Sequence, residues 1–247
     1  MINALDRGLQ VLEYLSDCRE EMGVREMARE MDLNEATLFR ILKTLEGHQL
    51  VIQNHETKKY QLGIGVLRLA RGCADRIDVA RLATPVLQRL CREVGESVFL
   101  LLHQGNYGLY VAQFESSRAL RVNAEIGRRV LLYIGAASKA ILAWVPAPLQ
   151  QEILVHNYRE AGLSMDYPKI RQELETIRSQ GYAVSREEID PGVLAVGAPV
   201  FDVQGRVIAA VGITMPLHLV DPPHVDQVIR RMLDSAGEIS RKMGYRE

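Results

Sequence analysis

Three short helical patterns followed by two strand-like runs fill residues 1–62, and this order constrains the fold more than any other feature of the sequence. Leucines recur every three or four residues over 5–15 and predict one face of a first helix. Two further apolar faces, over 24–31 and 38–45, predict a second and a third helix joined by a tight connection. Asn34 is placed to cap the third helix.

A two-stranded ribbon is predicted directly after the third helix. Residues 50–52 and 59–62 are short strand candidates joined by a polar loop. Two helices, a turn, a third helix and a ribbon make a winged helix-turn-helix, which we predict over residues 1–62. The next helical pattern, interrupted only by Gly72, predicts a linker helix within residues 63–79.

The remaining residues, 80–247, mix strand and helix patterns and contain no internal repeat. Strands are expected at 97–103, 108–114, 120–123, 183–185, 193–201 and 207–215. Helices are expected at 80–94, 137–144, 149–157, 170–180 and 223–243. Interleaved strands and segregated helices predict a sensor-like domain, and the chain as a whole is assigned to the α+β class.

Composition excludes several classes of protein. The chain is 47% hydrophobic and 25% charged, which is ordinary for a folded domain. No apolar stretch reaches the roughly 18 residues of a membrane span, and no signal peptide is evident at the N-terminus. The 3 cysteines are far apart and lack metal-type spacing, which favours reduced thiols. We expect a cytoplasmic protein without a membrane partner.

The third helix carries the candidate DNA contacts, because a recognition helix presents its N-terminal residues to base edges. Its outward positions are Glu35, Ala36, Thr37, Arg40 and Lys43. Arg40 can fork onto a guanine, Thr37 can contact a phosphate or a thymine methyl, and Lys43 suits a phosphate. The other candidates are Arg25 of the second helix and Asn54, Lys58 and Lys59 of the wing.

Charge gives a weaker signal. Residues 1–65 contain eight Lys and Arg against eleven Asp and Glu, which does not by itself favour a nucleic-acid surface. Glu35 would be repelled by phosphates unless it accepts a hydrogen bond from a cytosine amine. A generic helical domain with solvated charges is the alternative, and the ribbon with its paired lysines favours DNA binding over it.

The whole chain resembles the IclR family of bacterial transcriptional regulators. The resemblance rests on residues 4–12 (ALDRGLQVL), 24–29 (VREMAR), 36–45 (ATLFRILKTL), 60–63 (YQLG), 135–143 (GAASKAILA), 181–188 (GYAVSREE), 192–200 (GVLAVGAPV) and 205–213 (GRVIAAVGI). Asp32 stands where the family usually has a turn glycine, Asn34 where it has a proline, and Ala36 where it has a serine. Ser138 stands at another usual glycine. The fold should tolerate these departures, whereas the base preference should differ.

The resemblance implies a GAF-like second domain that binds a small organic molecule, often an acid or an aromatic catabolite. The residues implied to line its cavity are Val122, Leu132, Ala136, Ala137, Ser138, Ser185, Val193, Ala195, Gly212 and Thr214. Small residues at 135–138 would let a carboxylate approach the N–H groups at a helix N-terminus. Most of the set is apolar, which favours a hydrophobic or aromatic effector. Ordinary core packing is the alternative for each residue.

Enzymatic and metal-binding interpretations are less well supported. The sequence contains no G-x-S-x-G elbow, Walker loop, H-E-x-x-H or complete G-x-G-x-x-G. Ser138 and Lys139 are adjacent and cannot share a helix face as a catalytic dyad. His218, Asp221 and His224 could hold a metal, but their spacing favours a polar loop. We expect no metal, no cofactor and no catalytic residue.

These patterns predict a ligand-responsive, sequence-specific DNA-binding regulator, with a catabolic operon as its target. We expect a homodimer or homotetramer whose winged-helix domains pair through the first helix and the linker helix on a double-stranded operator. One alternative is a small-molecule-binding or hydrolytic enzyme with an appended helical domain. The other is a protein-interaction adaptor, whose affinity for DNA would be weak and insensitive to sequence.

Overall fold

The computed structural model describes residues 3–18, 20–74, 78–116 and 125–246. The chain divides into two compact units, Met1–Ile77 and Asp78–Glu247, which we call the N-terminal and the C-terminal unit. Within the described ranges, no helix combines the length and the apolar character needed to cross a bilayer.

The N-terminal unit has the predicted element order. Its elements are α1 (Asn3–Asp17), α2 (Val24–Glu30), α3 (Glu35–Gly47), β1 (Val51–Gln53), β2 (Tyr60–Leu62) and α4 (Gly65–Ala74). β1 and β2 pair antiparallel, and a bridge from Met22 to Tyr60 ties the ribbon to the start of α2. The predicted Asn34 cap is confirmed, because its side chain accepts a hydrogen bond from the Ala36 N–H at 2.9 Å. The winged helix-turn-helix is therefore present.

The core of this unit lies where α1, α2, α3 and the ribbon meet. Val11, Met27, Leu38 and Tyr60 are fully enclosed there. The leucine face predicted for the first helix is only partly internal, since Leu15 is buried while Leu5 and Leu9 are 59% and 53% exposed. The predicted linker helix is described as α4 from Gly65 to Ala74, and positions 75–77 lie outside the described residues.

The C-terminal unit combines α-helices with antiparallel β-strands. Its helices are α5 (Asp78–Val94), α6 (Ala136–Trp144), α7 (Ala147–Glu160), α8 (Tyr167–Gln180) and α9 (Pro222–Lys242). Its strands are β3 (Ser97–Gln104), β4 (Tyr107–Phe114), β5 (Arg129–Leu131), β6 (Ala183–Arg186), β7 (Val193–Phe201) and β8 (Val207–Pro216). The predicted strand at 120–123 lies outside the described residues, and the short strand β5 was not predicted.

The six strands form one sheet in the order β5-β4-β3-β8-β7-β6, with every neighbouring pair antiparallel. Phe99 and Leu101 of β3 join the core formed with α6, α7 and α8. Val98 and Leu100 alternate with them, are fully buried, and therefore face the other side of the sheet. That side packs against α5 and α9. Helices thus cover both faces of this antiparallel sheet.

The Asn34 cap should contribute measurably to the stability of the N-terminal unit. We expect Asn34→Ala to lower the free energy of unfolding by about 1 kcal/mol, because a first-turn N–H of α3 loses its acceptor. Asn34→Asp keeps an acceptor oxygen and should lose much less. Urea unfolding followed by circular dichroism measures both variants. Equal stability of Asn34→Ala and the unsubstituted protein would contradict the role of the cap.

Candidate functional site

The start of α3 presents a polar, solvent-facing surface. Glu35, Ala36, Arg40 and Lys43 are exposed and Thr37 is half-buried. These five positions share the outward side of the helix, since Leu38 and Leu42 point into the core. The predicted recognition residues are therefore together on one accessible face.

The charged side chains on this face differ in whether they already form ion pairs with other residues. The Lys43 Nζ lies 2.7 Å from the Glu46 carboxylate, so part of its charge is neutralised within the helix. The hydrogen bond from this amine to Glu46 is the main cause that raises the pKa of Lys43. Glu35 lies 3.7 Å from the guanidinium of Arg25 on α2. Arg40 has no ion-pair partner among the described residues, so its guanidinium is available to a ligand.

The wing is shaped by Asn54. Its amide donates to both oxygens of Glu21 at 2.8 and 3.0 Å, and its carbonyl oxygen accepts from the Glu56 N–H at 2.9 Å. The hydrogen bond from Asn54 is the first cause that lowers the pKa of Glu21. Lys58 and Lys59 are exposed beyond this turn. Asn54 thus positions the wing, while the two lysines supply its positive charge.

A small cavity in the C-terminal unit lies between the start of α6 and strands β6, β7 and β8. Seven of the residues predicted for an effector site line it: Ala136, Ala137, Ser138, Ser185, Val193, Ala195 and Thr214. The structure therefore brings together residues that are up to about eighty positions apart in the sequence. The other lining residues, which were not among those predicted for the cavity, are Phe99, Tyr110, Arg128, Gly135, Glu188, Ile189 and Asp190.

Two of the predicted residues that the structure describes are not part of this wall. Leu132 is fully buried in the core on the α6 side of the sheet. The phenyl ring of Phe99 packs against Gly212 from that side, so closely that a Cβ at this glycine would lie 2.1 Å from the ring. Phe99 thus fills the space that a side chain at position 212 would need, and its ring forms an aromatic wall of the cavity. Val122 lies outside the described residues.

The cavity contains hydrogen-bonding groups that other side chains do not satisfy. Ser138 and Ser185 are 3% and 4% exposed, and neither hydroxyl has a hydrogen-bond partner among the described residues. The first-turn N–H groups of α6 have no acceptor within the helix. Burial raises the pKa of Tyr110, so its hydroxyl remains a protonated donor. Several donors therefore converge on one small, largely apolar space.

Lys139 is the most deeply buried charge beside the cavity. Its side chain is 6% exposed, and its Nζ lies 2.5 Å from Glu173 of α8 and 2.5 Å from Glu188. The other oxygen of Glu188 accepts from the Gly135 N–H at 3.0 Å. Burial acts to lower the pKa of Lys139, but the hydrogen bonds and charges of both glutamates outweigh it and raise the pKa above its usual value. We call these four residues the Lys139 cluster.

The segment 187–192 covers the cavity. Glu188 is held by the Lys139 cluster, and the Ile189 side chain packs so closely on Gly135 that a Cβ there would lie 2.6 Å from it. Glu187 accepts from the Gly192 N–H at 2.8 Å and closes the segment on itself. The enclosed volume is about 50 Å³, which holds only a few waters. The cavity is therefore narrow in this conformation.

The histidine cluster near the start of α9 is engaged in structural contacts. The Asp221 carboxylate accepts from the His224 N–H at 2.9 Å and caps the helix. The His224 Nε2 lies 3.0 Å from the carboxylate of Glu96, which is 1% exposed. Within the described ranges, no group of three or more His, Cys, Asp or Glu is placed to hold a metal ion.

Breaking the Lys139 cluster should destabilise the C-terminal unit. We expect Lys139→Met to lower the free energy of unfolding by about 2 kcal/mol. The loss is smaller than for a fully buried pair, because Glu173 remains 45% exposed. The raised pKa means that the contribution is fully present at neutral pH and fades only in strong alkali, as pH rises through it.

Arg171→Met is the matched control on α8. Arg171 pairs with Glu175 at 2.8 Å, but both side chains are more than half exposed. The control should therefore change stability by less than about 0.5 kcal/mol. Urea unfolding at pH 7 compares the two, and an equal loss in both variants would show that burial does not strengthen the Lys139 cluster.

Comparison with known proteins finds family matches for both units. The family described as "Bacterial transcriptional regulator IclR C-terminal" matches residues 72–241, and the "IclR helix-turn-helix domain" matches residues 4–55. The chain is 32% identical to the transcriptional regulator KipR of Bacillus subtilis over 85% of each chain. It is 30% identical to the regulator XynR of Escherichia coli over 99% of this chain and 98% of the relative.

A solved structure agrees over the full length. The crystal structure of the Thermotoga maritima IclR superposes with a TM-score of 0.79 at 27% identity, and covers 99% of this chain and 100% of that one. The exposed face of α3, the wing and the cavity at the start of α6 therefore occur in an architecture that is matched from end to end. The chain belongs to the IclR family of bacterial transcriptional regulators.

Proposed function

We propose that this regulator binds a pseudo-palindromic operator as a homo-oligomer, and that a small organic acid in the α6 cavity controls its binding. The observation that carries the DNA assignment is the unpaired Arg40 on the exposed, capped start of α3. The protein would act on chromosomal DNA in the cytoplasm, at a catabolic operon. Its relatives KipR and XynR are named transcriptional regulators, which supports a regulatory role without catalysis.

Arg40 is proposed to read a base, and the neighbouring residues to position it. A guanidinium without an internal partner can donate two parallel hydrogen bonds to a guanine. Thr37, one turn earlier, is placed for a phosphate or a thymine methyl. Lys58 and Lys59 would contact the backbone from the wing, and Lys43 would do so on exchanging Glu46 for a phosphate. These contacts define the proposed recognition surface.

Exposed apolar residues support pairing through α1 and α4. Leu5 and Leu9 of α1 are more than half exposed, and Leu67 and Leu69 of α4 are 64% and 63% exposed. Leucines at this exposure on two helices of a small unit are typical of a surface that another chain covers. A second copy of the same unit would bury them and set the spacing of two recognition helices.

Removing the Arg40 guanidinium should weaken operator binding and change base preference. We expect Arg40→Ala to raise the Kd for an operator selected from a randomised duplex pool by about 10- to 100-fold, because one bidentate base contact is lost. The slope of log Kd against log salt should change by less than it does for Lys58→Ala, which removes a phosphate contact. Fluorescence anisotropy at several salt concentrations measures both.

Lys169→Ala is the control for charge. Lys169 lies at the start of α8 in the C-terminal unit and loses the same formal charge. Its operator affinity should match that of the unsubstituted protein. If Lys169→Ala and Arg40→Ala weaken binding equally, or if Arg40→Ala keeps both affinity and base preference, the proposed recognition surface is wrong.

The cavity is proposed to bind a small carboxylate. The first-turn N–H groups of α6 and the hydroxyls of Ser138 and Ser185 are donors without partners, and the helix dipole favours negative charge there. Phe99 supplies an apolar wall, which suits an aliphatic or aromatic remainder. Lys139 is held as a paired ammonium and is not available as a base. The cavity thus supports binding and has no assigned catalytic group.

Effector entry requires the cover segment 187–192 to move. A volume of about 50 Å³ leaves little room for an organic acid, so the narrow form disfavours the effector. Glu188 already places one carboxylate oxygen on the Gly135 N–H, at the entry to α6. The effector carboxylate would compete with Glu188 for this end of the helix. Binding would then favour an open cover, and the population of DNA-competent forms would shift with it.

Removing the hydroxyl of Ser185 should weaken effector binding without changing the stability of the protein. We expect Ser185→Ala to weaken a small carboxylate, found by thermal shift in a panel of organic acids, by about 5- to 20-fold. The free energy of unfolding should hardly change, because this hydroxyl has no partner in the unliganded protein. Isothermal titration and urea unfolding measure the two effects.

Ser240→Ala is the opposite control. The Ser240 hydroxyl donates to the Ala236 carbonyl at 2.8 Å and accepts from the Phe201 N–H at 3.0 Å. Its loss should reduce stability and leave effector affinity unchanged. A Ser185→Ala variant that binds the acid as tightly as the unsubstituted protein would remove Ser185 from the proposed site.

A further inference from the structure

A second concavity of the C-terminal unit lies along the free edge of β7. Strand β6 pairs with β7 only as far as Ala183 opposite Gly197, so residues 198–201 have no strand partner on that side. The groove runs from Trp144, at the end of α6, to the last turn of α9. Its volume is about 690 Å³, within the range of small-molecule sites. It is separate in residues from the cavity at the start of α6.

The edge itself cannot accept another strand. Pro199 has no N–H, and the Phe201 N–H already donates to the Ser240 Oγ at 3.0 Å. Residues two apart in a strand point to the same edge, so both donors that a docking strand needs are missing. The groove therefore presents side chains to a ligand and lacks the free backbone N–H groups that a peptide would need to add as a β-strand.

Aromatic rings form one wall of the groove. The ring centroids of Trp144 and Phe201 are 5.0 Å apart in an edge-to-face arrangement, and those of Phe201 and Tyr245 are 5.1 Å apart. All three rings are partly exposed. A flat apolar group is the natural occupant of a wall made of offset rings. Leu233 and Ala236 of α9 complete the apolar surface.

The charge at the groove is positive. Arg241 and Arg246 line it, and the guanidinium of Arg178 lies 5.5 Å from the centroid of the Trp144 ring. No carboxylate is among the lining residues of the described chain, and none of these arginines has an ion-pair partner there. Three unpaired guanidinium groups beside an aromatic wall complement a ligand with an apolar ring and an anionic end.

We propose that this groove is a second ligand site, which binds an aromatic carboxylate. The ring would lie against Trp144, Phe201 and Tyr245, and the carboxylate would accept hydrogen bonds from Arg241 and Arg246. Trp144 is the last residue of α6, and the first turn of the same helix lines the other cavity. The two sites therefore lie at the two ends of one helix of nine residues. The second site extends the proposed function and does not depend on it.

Trp144 is the single tryptophan of the chain, so its emission reports on the groove directly. The probe is benzoate, added at constant ionic strength with sodium chloride as the balance, and benzamide is the neutral control. We expect a saturable change in emission with benzoate and at least a 10-fold weaker response to benzamide. The double variant Arg241→Gln, Arg246→Gln should weaken benzoate by at least 10-fold. Both side chains are exposed and unpaired, so the fold should be kept.

Three results would overturn the proposal. The first is no saturable change with benzoate, or the same response to benzamide or in the double variant. The second is loss of the signal in Ser185→Ala, which would place benzoate in the α6 cavity. The third is a change in oligomeric state of the double variant in sedimentation, which would show that another copy of the chain covers the groove. An unchanged oligomer with a weakened benzoate response supports the site.

Discussion

The buried ammonium of Lys139 is the interaction on which the effector half of the structure depends. One side chain on α6 holds a glutamate on α8 and a glutamate on the cover segment, and the second of these also satisfies the Gly135 N–H. An ammonium at 6% exposure is tolerated only because two carboxylates compensate for its lost hydration. The Lys139 ammonium therefore fixes three things together: the packing of α6 on α8, the N-terminus of α6 and the segment 187–192.

Under the proposed function, this arrangement would give the cavity two states with a physical difference between them. In the narrow conformation, Glu188 accepts a hydrogen bond from the Gly135 N–H, and Ile189 packs on the glycine where a side chain would collide. In an open state the helix entry would need another anion, and an effector carboxylate supplies one. The ligand would thus bind one state better than the other, which is the requirement for shifting a population. The φ of 83° at Gly135 is left-handed, a conformation that favours glycine.

The local part of the fold could be predicted from the sequence, whereas long-range contacts could not. Helical spacing and the Asn34 cap gave the order of elements in the N-terminal unit, because capping acts within two residues. The same spacing could not tell that Leu5 and Leu9 are exposed, since their neighbours are set by tertiary packing. In the short strand β5, three residues carry too little pattern to be recognised.

The candidate cavity shows the same division. Ser185 and Thr214 were named from the resemblance, but Arg128 and Tyr110 carry no local signal, because only the sheet order brings them to the wall. Asp32 illustrates a local exception. Its φ of 51° is left-handed, which explains why the resemblance predicts glycine at this turn. Aspartate adopts this conformation more readily than most residues, so the turn between α2 and α3 keeps its geometry.

The acidic balance of the first 65 residues is compatible with DNA binding because several of the acids are engaged, whereas Arg40 is not. Glu21 accepts from Asn54 and Thr57, Glu46 binds Lys43, and Glu30 accepts from the Tyr14 hydroxyl. Arg40 has no such partner and sits where a recognition helix begins. Net charge averages over all of these groups, whereas a phosphate or a base senses only those within about a Debye length on one face. Pairing therefore decides the surface field more than composition does.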